Sequence, residues 1–455
     1  MKKLGRWMPA LAVASALVAT ACTSKTSTGQ QAPTTAATGT TGGTATTVVA
    51  GLAANNDSAS STVGITATTI NVAFIGVDFS SLASTGLVPV LGNQQKQVQS
   101  FVDDINANGG IDGRKINLHF KLLTALSTAD DVQADCIEAT QQFKAAVVIL
   151  PPAAARDLAS CTAVTNKTLT IYATGMDAGL YTQSQGRLFT PGGMSIDRQF
   201  RGWADEINQL GLLTGKTVGV VDGDQPQEFL NGINNALLPE LGKLGHKPVQ
   251  VVTLPCTSSL TSCQQYDAAA QKLKDSGADT VFMTLANTYG SGFVQAAANI
   301  GYHPKYLLEG NQATNTVLKF FKSVKSDLAG ALGVGFGFAL PSEITANATH
   351  CNQVVTDRSG EVYQSGSDAF GFTSVVCNEF SIVKLAADRV GTGPLTQGAL
   401  ISGIEGLGTI QLGVGPDGTL SPTKHDGLNS MYLCDVDPVA DTCVRRPDAP
   451  FRIPD

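Results

Sequence analysis

Few residues in this sequence have the types and spacing needed for covalent, phosphate or metal chemistry. GLLTGKT at 211–217 has the Gly-Lys-Thr end of a phosphate loop. The full pattern, however, requires a glycine where Leu210 stands. The stretch also precedes the β-branched run TVGVV, whereas a phosphate loop follows a strand and opens a helix, so it reads as a helix-to-strand turn. GVGFGF (333–338) lacks a third glycine at dinucleotide-binding spacing and reads as a strand or a hinge crossing. Neither G-x-S-x-G nor H-E-x-x-H occurs, so nucleophilic and zinc hydrolases lack their usual signatures. The histidines at 119, 246, 303, 350 and 425 are scattered, and there is no C-x-x-C. No metal site, no cofactor and no enzymatic activity are expected.

The cysteines carry more information. There are nine, an odd number, which in an exported chain leaves one over. Cys22 stands apart from the others. It follows a basic start (Lys2, Lys3, Arg6) and the small, apolar run MPALAVASALVATA at 8–21, too short to span a bilayer comfortably and laid out like a secretory signal. With Ala19, Thr20 and Ala21 before it, Cys22 resembles the cysteine of the bacterial lipobox, although Ala19 stands where leucine is usual. That resemblance implies a signal peptide over 1–21, lipidation of Cys22, and a protein held on the outer face of the cell membrane. Residues 22–65 are rich in Thr, Gly, Ala and Ser, as in PTTAATGTTGGTATT, and should form a disordered tether. The other eight cysteines, read as sequence neighbours, give Cys136–Cys161, Cys256–Cys263, Cys351–Cys377 and Cys434–Cys443. This is one choice among about a hundred connectivities. NKT (166–168) and NAT (347–349) match a glycosylation pattern that means little in a bacterium.

The chain has 455 residues, 43% of them hydrophobic and 15% charged, with a net charge of −7. The length suggests two domains, and the acidic balance argues against nucleic-acid binding. After the signal, no apolar run is long and charge-free enough to suggest a membrane span.

From residue 66 onward, β-branched runs alternate with helical patterns. TINVAFIGVD (69–78), INLHFKLL (116–123), AAVVILPP (145–152), LTIYATG, TVGVVDGD (217–224), VQVVTLP (249–255) and DTVFMTLAN (279–287) read as strands. Val98, Phe101, Val102 and Ile105 fall on one face of a helix, and another helix is expected from Thr128 to Lys144. This alternation predicts βαβ units, hence parallel sheets covered on both faces, in two runs that meet near residue 190.

INANGGIDGRKINLHF (105–120) is the most specific stretch. It resembles the helix–turn–strand junction of the type I periplasmic binding proteins, in particular the branched-chain amino-acid (leucine/isoleucine/valine) binding family. GVDFSSLASTG, GVVDGDQPQEFLNG (219–232), SGADTVFMTLANTYGSGFVQAAANIGY (276–302) and VGPDGTLSPTKHDGLNSMYL (414–433) are similar to further segments of that family, so the likeness extends over most of 66–435. It implies an α/β fold of two Rossmann-like lobes with parallel sheets joined by a three-crossing hinge. Lobe 1 would comprise 66–190 with 338–428, and lobe 2 would comprise 191–337 with 429–455. It also implies a disulfide in the first lobe, for which Cys136 and Cys161 are placed.

The same resemblance implies a ligand between the lobes. The loop that often presents serines in the family reads PPAAARD here, leaving the backbone of Ala153 and Ala154 and the guanidinium of Arg156. Thr174 offers a hydroxyl, Phe229 and Tyr289 offer aromatic contacts, Glu309 corresponds to the family's amine-binding glutamate, and Asp78 and Ser80 lie on the first loop. The implied function is capture of a small molecule, by default a branched-chain or other amino acid, and its delivery by a monomer to an ABC permease. An amide, organic acid or aromatic ligand is left open. A sensor reporting to a membrane signalling partner is the alternative, and an exported enzyme would need a constellation that the sequence lacks.

Overall fold

The computed structural model describes residues 60–453 except 86–87, 126, 153, 257–262, 286–288, 311–317, 319–320, 322, 336–343, 392, 414–417, 438, 441 and 447–450. Cys22, the expected signal and most of the expected tether lie outside the described residues, as does Ala153.

The first sheet contains β1 (Thr69–Asp78), β2 (Lys115–Thr124), β3 (Val147–Leu150), β4 (Leu169–Tyr172) and β5 (Leu188–Phe189), all parallel in the order β2-β1-β3-β4-β5. Successive β1 residues enter opposite cores: Val72 and Phe74 join one cluster, while Ala73 and Ile75 join another. Burial on both faces is why this strand reads as an almost continuous apolar run. On one side lies α1 (Gln94–Ala107), which buries Val98, Phe101, Val102 and Ile105. Gly110 follows it at φ 72°, where an added Cβ would stand 2.2 Å from the Arg114 carbonyl oxygen. The turn therefore requires glycine for both conformation and space. The helix expected over 128–144 begins as α2 (Ala129–Ile137), capped reciprocally by Thr128 and Asp131, and continues as a π-helical stretch over Glu138–Gln142. The short helices α3 (Arg156–Ala159) and α4 (Ala178–Ser184) follow β3 and β4.

After α5 (Ile196–Gln209) and the 211–217 turn, a second sheet begins. Its strands β6 (Val218–Gly223), β7 (Gln250–Leu254), β8 (Thr280–Met283), β9 (Lys305–Leu308) and β10 (Leu332–Gly335) are parallel. They alternate with α6 (Gln227–Gly232), α7 (Leu238–Lys243), α8 (Tyr266–Asp275) and α9 (Tyr289–Asn299). The chain next forms α10 (Ala346–Ser359), α11 (Asp368–Val390) and α12 (Gln397–Glu405), which pack with α1 beside the first sheet. Phe101 of α1 contacts Phe380 of α11, with ring centroids 6.4 Å apart. Although α11 is long and apolar enough to cross a membrane, 67% of its most apolar window is buried in the protein, as in a core helix. A small antiparallel pair, β11 (Gly408–Ile410) and β12 (Gly418–Leu420), precedes β13 (Ser430–Asp437), β14 (Thr442–Arg445) and β15 (Phe451–Arg452). β13 runs antiparallel to β10 and completes the second sheet with β14 and β15.

The eight cysteines within the described residues form Cys136–Cys161, Cys256–Cys263, Cys351–Cys377 and Cys434–Cys443. Of these, Cys351–Cys377 ties α10 to α11.

The segments that leave β5 and β12 for the second sheet run side by side. Thr190 N donates to His425 O at 2.8 Å, Gly427 N to Thr190 O at 2.9 Å, and Leu428 N to Gly193 O at 3.0 Å. A buried ion pair locks them: Arg198 Nη1 lies 2.6 Å from Asp426 Oδ2, which also accepts from Ser195 N at 2.7 Å. The same guanidinium donates to Leu428 O and to Ile453 O near the C-terminus. Replacing one partner leaves the other charge buried, so Asp426→Ala should cost about 3–5 kcal/mol in chemical denaturation. A loss below about 1 kcal/mol would show that the pair is dispensable.

Candidate functional site

In open α/β sheets, ligands collect at the carboxyl ends of the strands. At the end of β1, Asp78 accepts from Ser80 N (2.8 Å) and Ser80 Oγ (3.0 Å), so these two expected site residues form one local turn. At the end of β4, the buried Tyr172 hydroxyl donates to Ala154 O and is also hydrogen-bonded to Thr174, tying the PPAAARD loop to the strand. Burial raises that phenol's pKa well above its usual value. Thr174 itself is exposed at the strand end.

Arg156 is the largest difference between the sequence reading and the geometry. Instead of standing free for an anion, its Nε and Nη2 donate to Asp177 Oδ2 at 3.0 and 2.9 Å. Asp177 also caps α4, accepting from Leu180 N at 3.2 Å. The loop's cation is therefore already neutralised by a carboxylate 21 residues further along the chain.

On the second sheet, β6 ends in two acids. Asp224 Oδ1 accepts from Cys256 N at 2.7 Å and so holds the disulfide loop. Asp222 is 1% exposed, and its Oδ1 has no hydrogen-bond partner. Burial, with a smaller contribution from Asp224, pushes its pKa up to about 6 against the opposing hydrogen bonds from Thr253 and its own backbone. Glu228, in the first turn of α6, is 9% exposed, with Oε2 unpartnered. Burial raises its pKa; Arg156 lowers it, while Asp177 and Asp157 raise it. A side chain of the second sheet's loops thus lies in the field of three charged groups from the first sheet's loops.

The geometry gathers Ala154, Arg156 and Thr174 around Tyr172, Asp177 and Glu228. Tyr289 opens α9, where burial raises the phenol's pKa with smaller contributions from Tyr266 and Asp224. Glu309 is fully buried at the end of β9, its N–H donating to Met283 O. Phe229 packs edge-on against Phe200 in the core, with centroids 6.0 Å apart. Sequence reasoning passed over Tyr172, Asp177, Asp222 and Glu228. Asp222 carried a signal, being a carboxylate inside the otherwise apolar run TVGVVDG; Glu228, next to Phe229 in QPQEF, carried none.

Among the described residues, no group of three His, Cys, Asp or Glu side chains is placed to hold a metal. A groove of about 520 Å³ between α8 and α9 is lined by Gln265, Tyr266, Gly292, Gln295 and neighbouring residues, and by none of the residues expected from the sequence.

Asp222 gives a signed pH prediction. Its folded pKa exceeds the ordinary 3.8, so burial carries no penalty below that pH. A penalty grows as pH rises from there and is complete above about 6. Asp222→Asn should therefore raise stability at pH 8 by up to about 3 kcal/mol, for a shift of about two units. The gain should vanish near pH 3.5, about the bottom of the carboxylate range. A gain independent of pH in denaturant titrations would mean that the carboxylate's charge is not its source.

The sequence profile of the periplasmic binding protein family matches residues 69–442. Searched against curated proteins by sequence, the chain finds no match. Among solved structures, it resembles the branched-chain amino acid transporter substrate-binding protein LivJ from Streptococcus pneumoniae, in complex with isoleucine. The TM-score is 0.57 at 17% identity, covering 83% of this chain and 100% of that one. A solute-binding protein of an ABC transporter from R. palustris, in complex with 4-hydroxybenzoate, has a TM-score of 0.63 at 15% identity, covering 85% and 98%. The leucine-binding protein LivK from Thermotoga maritima has a TM-score of 0.60 at 14% identity, covering 84% and 98%. At these identities the structural likeness establishes the fold, and the profile establishes the family. With two parallel sheets whose strand ends meet across a set of polar side chains, this chain belongs to the periplasmic binding protein family, as a type I member with the fold of the branched-chain amino-acid binders, an extracytoplasmic solute-binding protein.

Proposed function

We propose that this protein is an exported, lipid-anchored receptor that traps a small molecule between two lobes and hands it to an ABC permease. The observation that carries this reading is Glu228, buried in the field of Arg156, Asp157 and Asp177. Loops from both sheets therefore meet at one polar locus, where a ligand can touch both lobes at once. The lobes are 66–190 with 338–428, and 191–337 with 429–455. A ligand held by both favours the closed state by the difference between its affinities for the closed and open states, and a permease can read that state. The solved relatives bind isoleucine in one case and 4-hydroxybenzoate in another, so fold leaves ligand chemistry open. An amino acid is the default, contacted from Asp78, Ser80, Ala153, Ala154, Arg156, Thr174, Tyr289 and Glu309. Cys22 provides the anchor, and the threonine-rich stretch after it the reach.

Two measurements test this reading. In a thermal-shift screen of the mature chain against amino acids, amides, organic acids, sugars and aromatics, a ligand at about 100 times its Kd should add about 2.7 kcal/mol to the folded state. No shift in any class would remove the solute-binding role. In intact cells, Cys22→Ser should move the protein from the membrane fraction to the soluble exported fraction; unchanged membrane retention would refute the lipid anchor.

A further inference from the structure

Building on the solute-binding reading, we propose that the ligand carries a net positive charge, and that Glu228 is the residue that selects it. The charge inventory at the carboxyl ends of the parallel strands is one-sided. Among the described residues, the two arginines in the loops and first helical turns there are already neutralised, Arg156 by Asp177 and Arg198 by Asp426. Asp78, Asp222, Asp224 and Glu228 stand at the same ends and form no ion pair with a described residue.

Two of these acids are also incomplete as hydrogen-bond acceptors. Glu228 Oε2 and Asp222 Oδ1 are buried without partners, a state that costs free energy until a donor arrives. Glu228 faces the first sheet's loops, since its carboxyl senses Arg156, Asp177 and Asp157, and the Tyr172 phenol senses Glu228 in turn. A ligand entering between the sheets therefore meets an acceptor oxygen that lacks a donor, in the field of Glu228's own carboxylate and those of Asp157 and Asp177. An ammonium, guanidinium or quaternary ammonium group is drawn in by that field, and the first two also supply the missing donor. Among the described residues there, a simple anion meets no unpaired arginine to offset the repulsion.

The test is calorimetric titration of the full mature chain with arginine, lysine, putrescine and choline, alongside leucine and 4-hydroxybenzoate. The expected result is binding by at least one of the four cations and weaker or no binding by the last two. Glu228→Gln should weaken the cation about 10–100-fold, the range for a lost charged hydrogen bond, with no loss of thermal stability in the free protein. If that variant does not fold, Glu228→Asp keeps the charge and should retain the preference for cations at reduced affinity. Binding of leucine or 4-hydroxybenzoate without any cation would overturn the inference and leave the solute-binding reading intact. Cation binding indifferent to Glu228→Gln would overturn the role assigned to that residue. Silence from every probe here and throughout the wider thermal-shift screen would overturn both readings together.

Discussion

The buried pair between Arg198 and Asp426 is the constraint on which the rest of the arrangement depends. It joins α5, the first helix after the chain leaves the first sheet, to the segment that returns from β12 to the second. The charges are 2.6 Å apart and nearly excluded from solvent, so neither tolerates loss of the other. Lys424 surrounds the same segment with hydrogen bonds to the carbonyls of Thr419 and Gly427, and Asp426 Oδ1 lies 3.8 Å from its Nζ. Satisfying a peptide segment this fully with fixed charges gives it a single conformation. A connection of this kind lets two sheets keep a defined relation while the loops at their ends remain free to take on ligand chemistry.

Polar groups at the strand ends are part satisfied and part unsatisfied on both sides. On the first sheet, three pairs close locally, Arg156 with Asp177, Tyr172 with Ala154 and Asp78 with Ser80, while Gln94 Oε1 and both oxygens of Glu379 are buried without partners. On the second, Asp222 and Glu228 are buried with an oxygen unpaired.

Much of the fold was legible in the sequence because its signals are periodic. TINVAFIGVD coincides with β1, and the Val98–Phe101–Val102–Ile105 face is the face α1 buries. GLLTGKT is a turn because Gly211 and Gly215 take positive φ between a helix and a strand, which places its lysine where no phosphate loop exists. The site was less legible. Arg156 looks available because nothing near it in sequence announces Asp177, and Phe229, expected as an aromatic ligand contact, packs against Phe200 in the core.

The sequence by itself determined the alternation of strands and helices, the glycines of the turns, the scarcity of catalytic groups and the inventory of cysteines. Each is a property of residue type or of spacing along a few turns of chain, where local sterics and apolar periodicity act alone. Only the tertiary structure decided which carboxylate neutralised Arg156, which aromatic entered the core, and that Glu228 of one sheet's loops came to lie in the field of three charges from the other's. These outcomes depend on which strand ends are brought together and how much water is removed from between them. Contacts between residues tens of positions apart set both, and no local pattern encodes them.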